Sequence, residues 1–183
     1  MKTDEGRRNN WQIGFLDLLF NLVIILLLMV HPPQKQANAK PVADFTLYVV
    51  WDVGRNTDVD VYVRGPDGKV VWYVSDDVGY MSVDRDDLGN VRDSGPLNQE
   101  IVGFRAPPDG SYYVSVHTYR ENARGPGTVA LELDDRHGKN LWGGHLPIPA
   151  LRQEAPVIEF VFKDGAFVGT HPSRALIRQE ARS

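Results

Sequence analysis

Two stretches of the chain, FTLYVVW at residues 45–51 and DVDVYV at residues 58–63, decide its fold. In both, a large apolar side chain recurs at every second position, and polar or aromatic side chains fill the positions between. This period of two is typical of a β-strand that has one face on a hydrophobic core. The folded part of the chain is therefore expected to consist of strands.

The same alternation continues along the chain, interrupted by turn signals such as Pro66-Asp67-Gly68 and Asp164-Gly165. Further strands are predicted at residues 69–75, 100–105, 112–119, 128–133, 157–162 and 166–170. About seven or eight short strands with this spacing predict an antiparallel β-sandwich over residues 42–172. The tail, residues 173–183, is compatible with a short helix.

A different pattern precedes the strands. The segment IGFLDLLFNLVIILLLMV, residues 13–30, contains only two strongly polar side chains, Asp17 and Asn21. At about 1.5 Å per residue, a helix of this length nearly spans the ~30 Å hydrocarbon core of a bilayer, which predicts a single transmembrane helix. Residues 1–12 carry a small excess of basic charge and are expected in the cytoplasm. Residues 31–41 form a polar, proline-bounded linker, so the β domain is expected outside a bacterial inner membrane.

A cleaved secretory signal is the alternative for this segment, because Ala37-Asn38-Ala39 has the small-x-small form of a cleavage site. The apolar stretch is longer than the core of a typical signal, about 7–15 residues, and it contains an acidic residue. Both features favour a span that is retained.

An aspartate within a membrane span costs about 2.5–3.5 kcal/mol on insertion scales. Asn21 follows Asp17 by four residues, so the two side chains share one face of a helix. This polar stripe needs protein or water, which predicts that the helix packs inside a larger helical assembly. Carboxylates at such positions commonly mark ion pathways; the alternative is an Asp17 that reaches the interface and only aids insertion or pairing.

The short charged N-terminus, the motif FLDLLFNL at residues 15–22 and the apolar run after it resemble the ExbD, TolR and flagellar stator MotB group of ion-driven motor subunits. The resemblance implies that Asp17 carries the transported ion. It also implies a parallel homodimer inside a ring of five multi-spanning subunits of the MotA, ExbB and TolQ type. Asn21 departs from the small or apolar residue expected at its position. Because an amide oxygen beside a carboxylate can ligate a cation, H⁺ is expected as the ion and Na⁺ stays open.

A second resemblance lies in the β domain. Trp51, the run Asp58-Val59-Asp60, the pair Pro66 and Gly68, and a downstream Gly110-Ser111-Tyr112 are similar to a bacterial family of extracytoplasmic β-sandwich domains. This similarity implies that the domain is exported. It implies no activity, because sandwiches host many functions.

Acidic residues cluster in the predicted sandwich and suggest calcium. Asp58 and Asp60 share a strand face, and Asp84, Asp86 and Asp87 lie in the glycine-containing segment DRDDLGN. Ca²⁺ takes about six to eight oxygen ligands, which such a set could supply in part. The order of residues differs from that of an EF-hand loop. The alternative is a solvated acidic loop that keeps a sheet edge from pairing with other chains.

Composition argues against several other functions. The formal net charge of -4 and the lack of a basic run argue against nucleic acid as a partner. The chain has no cysteine, which excludes thiolate metal sites, thiol nucleophiles and disulfides. Its five histidines show no metal-ligand spacing and no nucleophile or phosphate-binding motif occurs, so the chain is not expected to be an enzyme. Gly143-Gly144-His145 is interpreted as a turn.

Two functional hypotheses remain. In the first, the chain is a B-type subunit of an inner-membrane rotary motor, ion flow through Asp17 drives rotation, and the outer domain engages an envelope component. In the second, the span is a passive anchor that displays a sandwich binding sugar, peptide or calcium. Replacement of Asp17 by leucine should abolish function under the first hypothesis and preserve it under the second.

Overall fold

The computed structural model describes residues 5–30, 41–87, 97–179 and 181, with helix side chains described for residues 13–26. The chain divides into two units, with the boundary between residues 40 and 41. The first unit holds the helix, and the second holds every strand of the described chain.

The helix, α1, runs from Glu5 to Val30 and so begins before the predicted apolar segment. Its described side chains are apolar apart from Asp17 and Asn21, and the large ones are exposed, for example Ile13 at 66% and Leu18 at 68%. Among the residues that the structure describes, no helix combines the length and apolar character needed to cross a membrane. The transmembrane segment stays a prediction.

The second unit is built of ten strands in the described residues. They are β1 (Phe45–Trp51), β2 (Thr57–Arg64), β3 (Val70–Val71), β4 (Met81–Arg85), β5 (Gln99–Phe104), β6 (Gly110–Glu121), β7 (Thr128–Asp135), β8 (Asn140–Pro147), β9 (Glu154–Lys163) and β10 (Ala166–Pro172).

The strands form two antiparallel sheets, which confirms the predicted mainly-β, antiparallel fold. Sheet I has the order β4-β5-β1-β7-β8, and sheet II has the order β10-β9-β6-β2-β3. The predicted hairpin between β9 and β10 is present: Asp164 and Gly165 have φ of 52° and 72°, the positive values that a tight hairpin turn needs.

One hydrophobic core joins the two sheets. Alternate residues of β1 from Phe45 to Trp51 are buried, as the sequence pattern predicts. Phe162 of sheet II is fully buried and its ring packs against Phe45 and Phe104 of sheet I, with ring centroids 4.7 and 5.6 Å apart. The sheets therefore pack face to face through their inner side chains.

Strand β2 is covered on both faces, since every residue from Thr57 to Val63 is buried. Val61 and Val63 belong to the main core, whereas Tyr62 belongs to a second cluster with Trp72 and Ile177. Ile177 lies in the C-terminal tail, where residues 173–177 have no regular structure and Ala181 N donates to the Ile177 carbonyl at 3.1 Å. The tail thus helps to cover the outer face of sheet II.

The turn expected at Gly143-Gly144-His145 is wrong, because these residues lie within β8 and pair with β7. The glycines fit a strand here for a packing reason. A side chain at Gly144 would meet the Trp142 ring at 2.7 Å, so this strand position has no room for a Cβ. Strand β4 was also missed, and the strand expected at residues 69–75 is only two residues long.

We expect Phe162→Ala to lower the free energy of unfolding by about 3–5 kcal/mol, since it leaves a cavity where four aromatic rings meet its own. Urea unfolding followed by tryptophan fluorescence measures the change. Val168→Ala is the matched control, because Val168 is 62% exposed on β10 and its loss should change stability by no more than about 0.5 kcal/mol. Equal effects of the two substitutions would contradict the described core.

Candidate functional site

The helix brings Asp17 and Asn21 together. Asn21 Nδ2 donates to the Asp17 carbonyl oxygen at 2.9 Å and lies 3.5 Å from Asp17 Oδ1. The two side chains therefore share one helix face, as their spacing predicts. The assignment of ion transport to this pair stays a prediction.

The β domain holds a second group of polar residues, here called the acidic cluster: Asp58, Asp60, Asp86, Asp87 and Glu100. Its members come from three segments, namely β2, the two residues after β4, and β5. They meet at the edge of β2 on which β3, among the described strands, pairs only with Val63 and Arg64.

Glu100 connects the two sheets at this place. Its side chain is 1% exposed, and Oε2 accepts a hydrogen bond from Val61 N of β2 at 2.6 Å. Burial holds the pKa of Glu100 well above its usual range, and the nearby charges of Asp60 and Asp86 raise it further. The carboxyl thus serves as the acceptor for a backbone group that no described strand pairs with on this side.

Asp58 is buried, and its carboxylate is only partly paired. It is 4% exposed, and its Oδ1 has no hydrogen-bond partner in the part of the chain that the structure describes. The Oδ2 atom lies 4.0 Å from the Arg120 guanidinium. Burial raises the pKa of Asp58 to about 7, and repulsion from Asp60, Asp86 and Asp87 adds to this effect against the attraction of Arg120.

Asp60 faces a buried histidine. His117, on the neighbouring strand β6, is fully buried, and its Nδ1 lies 3.4 Å from Asp60 Oδ2. The other ring nitrogen, Nε2, has no hydrogen-bond partner within the described residues. A buried polar group without a hydrogen-bond partner costs free energy of folding. Both this nitrogen and Asp58 Oδ1 are such groups.

The residues after β4 complete the cluster. Asp87 Oδ2 accepts a hydrogen bond from Gln99 N at 2.9 Å and lies 3.5 Å from the Arg85 guanidinium. Asp86 is exposed on one side, hydrogen-bonds the Glu100 side chain, and has its pKa raised by partial burial and by the charges of Asp60 and Asp87. The cluster is therefore open to solvent through Asp86.

Asp84 has different partners. Its Oδ2 accepts a hydrogen bond from Arg105 Nη2 at 2.7 Å, and its Oδ1 accepts one from Ser82 Oγ at 2.6 Å. The structure brings together four of the five aspartates predicted as calcium ligands and adds Glu100. The sequence analysis missed Glu100. The alternation of Glu100, Val102 and Phe104 along β5 could have revealed it, because it places a carboxyl at a position that faces the core.

Within the described ranges, no three His, Asp or Glu side chains are arranged to hold a metal ion. The predicted calcium site is thus not formed as a finished set of ligands. A separate open cleft of about 330 Å³ is lined by residues that include Asp44, Arg136, His137 and Phe167, and the acidic cluster takes no part in it.

Comparison of the chain with protein-family models, with curated proteins and with solved structures finds no match. The resemblance to ion-driven motor subunits stays a prediction.

The acidic cluster should make the stability of the β domain depend on pH. A carboxyl whose pKa is higher in the folded than in the unfolded chain favours folding at low pH, and this contribution is lost as pH rises through the folded value. For Asp58 the loss should run from about pH 4 to above pH 7, with Asp86 and Glu100 acting in the same direction.

We therefore expect the free energy of unfolding, measured in a metal chelator, to fall between pH 5 and pH 8 by on the order of 1 kcal/mol after solvent screening is allowed for. Asp58→Asn should flatten this dependence. Glu132→Gln, on an exposed position of β7, should leave it unchanged. A stability that rises over this range in the unsubstituted protein would contradict the electrostatics described above.

Proposed function

We propose that the chain is a single-pass, B-type subunit of a bacterial inner-membrane ion-driven motor, with Asp17 as the ion carrier. The observation that carries the proposal is the Asp17–Asn21 pair, which stands alone on a helix surface that is otherwise apolar and exposed over residues 13–26. The proposal also relies on the resemblance of residues 1–40 to the ExbD, TolR and MotB group.

An exposed apolar helix is unfavourable in water, so its side chains need an apolar environment as a cover. Over residues 13–26, eleven large apolar side chains are exposed. In sequence the apolar run continues to residue 30, and α1 extends as far, so the proposed span is about 27 Å at 1.5 Å per residue. We propose lipid and neighbouring helices as this cover.

The Asp17–Asn21 pair needs polar partners, which lipid does not supply. In hydrocarbon the Asp17 carboxyl would have, among the side chains described for residues 13–26, one amide donor beside it, 3.5 Å away. A parallel homodimer that presents both Asp17 carboxyls to surrounding multi-spanning subunits would bury the stripe against protein and water. Ions could then pass along the interface by binding to Asp17 and leaving it, as the resemblance implies.

The outer domain would transmit the output of the motor. The linker, residues 31–41, would join the span to a β-sandwich outside the cytoplasm, and the sandwich would engage an envelope component. This arrangement assigns the two units of the chain to different tasks, with ion binding in the helix and attachment in the strands.

The proposed topology can be tested by single-cysteine labelling, because the chain has no cysteine of its own. We expect Thr128→Cys, at an exposed position of β7, to react with a membrane-impermeant maleimide in spheroplasts. Thr3→Cys should react only after the membrane is opened. Recovery of the unsubstituted chain in the soluble fraction, or labelling of both cysteines in intact spheroplasts, would contradict a single span with a cytoplasmic N-terminus.

Ion transport is tested by Asp17→Asn, which keeps the size and hydrogen bonding of the side chain but removes the titrating group. The substituted protein should still assemble with two copies per complex, as counted by native mass spectrometry, yet proteoliposomes of the complex should lose at least about 90% of their ion flux, since the carboxyl is the ion-binding group.

Ile25→Leu is the control on an apolar position, and it should leave both assembly and flux unchanged. Asn21→Ala should reduce flux mildly if protons are carried and severely if sodium is carried, because a sodium ion would lose an oxygen ligand. An assembled Asp17→Asn complex with full flux would end the motor proposal.

The buried acidic cluster favours a second candidate function, namely a passive membrane anchor that displays a ligand-binding sandwich. In that case Asp17→Leu should preserve function and substitutions in the acidic cluster should abolish it. The two candidates therefore predict opposite outcomes for Asp17→Leu.

A further inference from the structure

The tail, residues 173–183, covers an apolar groove on the outer face of sheet II, here called the tail groove. Tyr62 of β2 and Trp72 form its floor, and their rings stack with centroids 5.4 Å apart. From the tail, Ile177 is fully buried on this floor and Ala175 packs beside it. One aliphatic side chain of the tail therefore fills a groove with an aromatic floor.

A single carboxylate oxygen holds the backbone of the tail. Glu154, the first residue of β9, accepts hydrogen bonds at Oε1 from Ile177 N at 2.6 Å and from Arg178 N at 3.1 Å. The hydroxyl of Ser115, which is fully buried, donates to the same oxygen at 2.5 Å and orients it. The tail groove thus combines an apolar floor for one side chain with an acceptor for two consecutive N–H groups.

The tail is bound to the sandwich without belonging to either sheet. Residues 173–177 have no regular structure, and the adjacent Leu176 is 48% exposed. Arg178 Nε is buried without a hydrogen-bond partner in the described part of the chain, which makes the contact less favourable. Segments with few buried apolar contacts open at a lower free energy than the whole fold. The tail is such a segment.

We infer that the tail groove is a recognition site for a short extended peptide, and that the tail occupies it as a displaceable ligand of the same chain. The partner would bind as the tail does, with one aliphatic side chain on Tyr62 and Trp72 and two consecutive N–H groups on Glu154. Tyrosine and tryptophan are the residues that most often dominate the binding energy of protein interfaces. The inference rests on the proposed function, since this groove would be the surface with which the sandwich engages an envelope component.

The tethering of the tail sets the affinity that a free peptide should have. A segment joined to its site by a short linker acts at an effective concentration on the order of 1 mM. If the tail is bound about ten times more often than it is released, a free peptide of the same sequence binds the empty groove with a Kd of about 0.1 mM. A tail that is bound more of the time implies a lower Kd.

The inference is tested on the full-length chain in detergent with a fluorescein-labelled peptide of residues 173–183 as the probe. Ile177→Glu places a charge on the apolar floor and should release the tail. Fluorescence anisotropy should then give a peptide Kd of about 0.1 mM or lower for this variant, and binding at least about tenfold weaker for the unsubstituted chain, whose own tail competes. Leu176→Glu is the matched control, because Leu176 is exposed, and it should behave as the unsubstituted chain.

Two further measurements examine the contacts themselves. Glu154→Gln, added to Ile177→Glu, should weaken peptide binding by about fivefold or more, because hydrogen bonds to a charged acceptor are the stronger ones. A peptide that itself carries Ile177→Glu should not bind. In the unsubstituted chain, the amides of Ile177 and Arg178 should exchange hydrogen faster than those of the central strand β6.

Three results would overturn the inference. The first is a folded Ile177→Glu chain that does not bind the peptide. The second is equal binding by the unsubstituted and Ile177→Glu chains, which would place the peptide elsewhere. The third is unfolding of the whole sandwich by Ile177→Glu, or exchange at Ile177 as slow as in β6, because the tail would then be an integral part of the fold. None of these results depends on Asp17, so the ion-flux test of the motor proposal is decided separately.

Discussion

The hydrogen bond between Val61 N and Glu100 Oε2 joins sheet II to sheet I at the edge of β2. Without it, β2 would present an unpaired backbone donor where β3 has ended, and the carboxyl of Glu100 would be buried with one fewer partner. Placing a carboxyl at this position has a cost, because it brings a buried acid into the field of Asp60 and Asp86. The edge is thus closed by a group that itself needs compensation.

Much of the β domain could be predicted from the sequence, because its strands obey a simple rule. Where one face meets the core, as in β1, alternation marks the strand directly. The rule fails for β8, since two glycines remove the side chains that would show the pattern and indicate a turn instead. It also overestimates the length of the edge strand β3 and misses the edge strand β4, because the extent of an edge strand depends on its partner as well as on its own residues.

The candidate site was only partly predictable for a related reason. Asp58 and Asp60 could be placed on one face by their spacing, but their partners lie on a strand that is distant in sequence, since Arg120 and His117 belong to β6. Asp84 was grouped with Asp86 and Asp87 because all three lie in one glycine-containing segment. The pairing of β4 with β5 shifts register between Val83 and Arg85, and Asp84 bonds Arg105 and Ser82 instead of joining the cluster. Glu100 and His117 come from strands that only the fold brings to β2.

The place of β1 in sheet I has a mechanical consequence. This strand is the first after residue 41, and it lies between β5 and β7, bonded to both. A pull on the chain at residue 41, directed along β1, would load both rows of interstrand hydrogen bonds in shear, so that many bonds resist together rather than one after another. Arg105 adds a further attachment, because its Nε donates to the Pro41 carbonyl at 2.6 Å. A load applied at residue 41 along β1 would therefore be shared by both rows of hydrogen bonds and by this attachment.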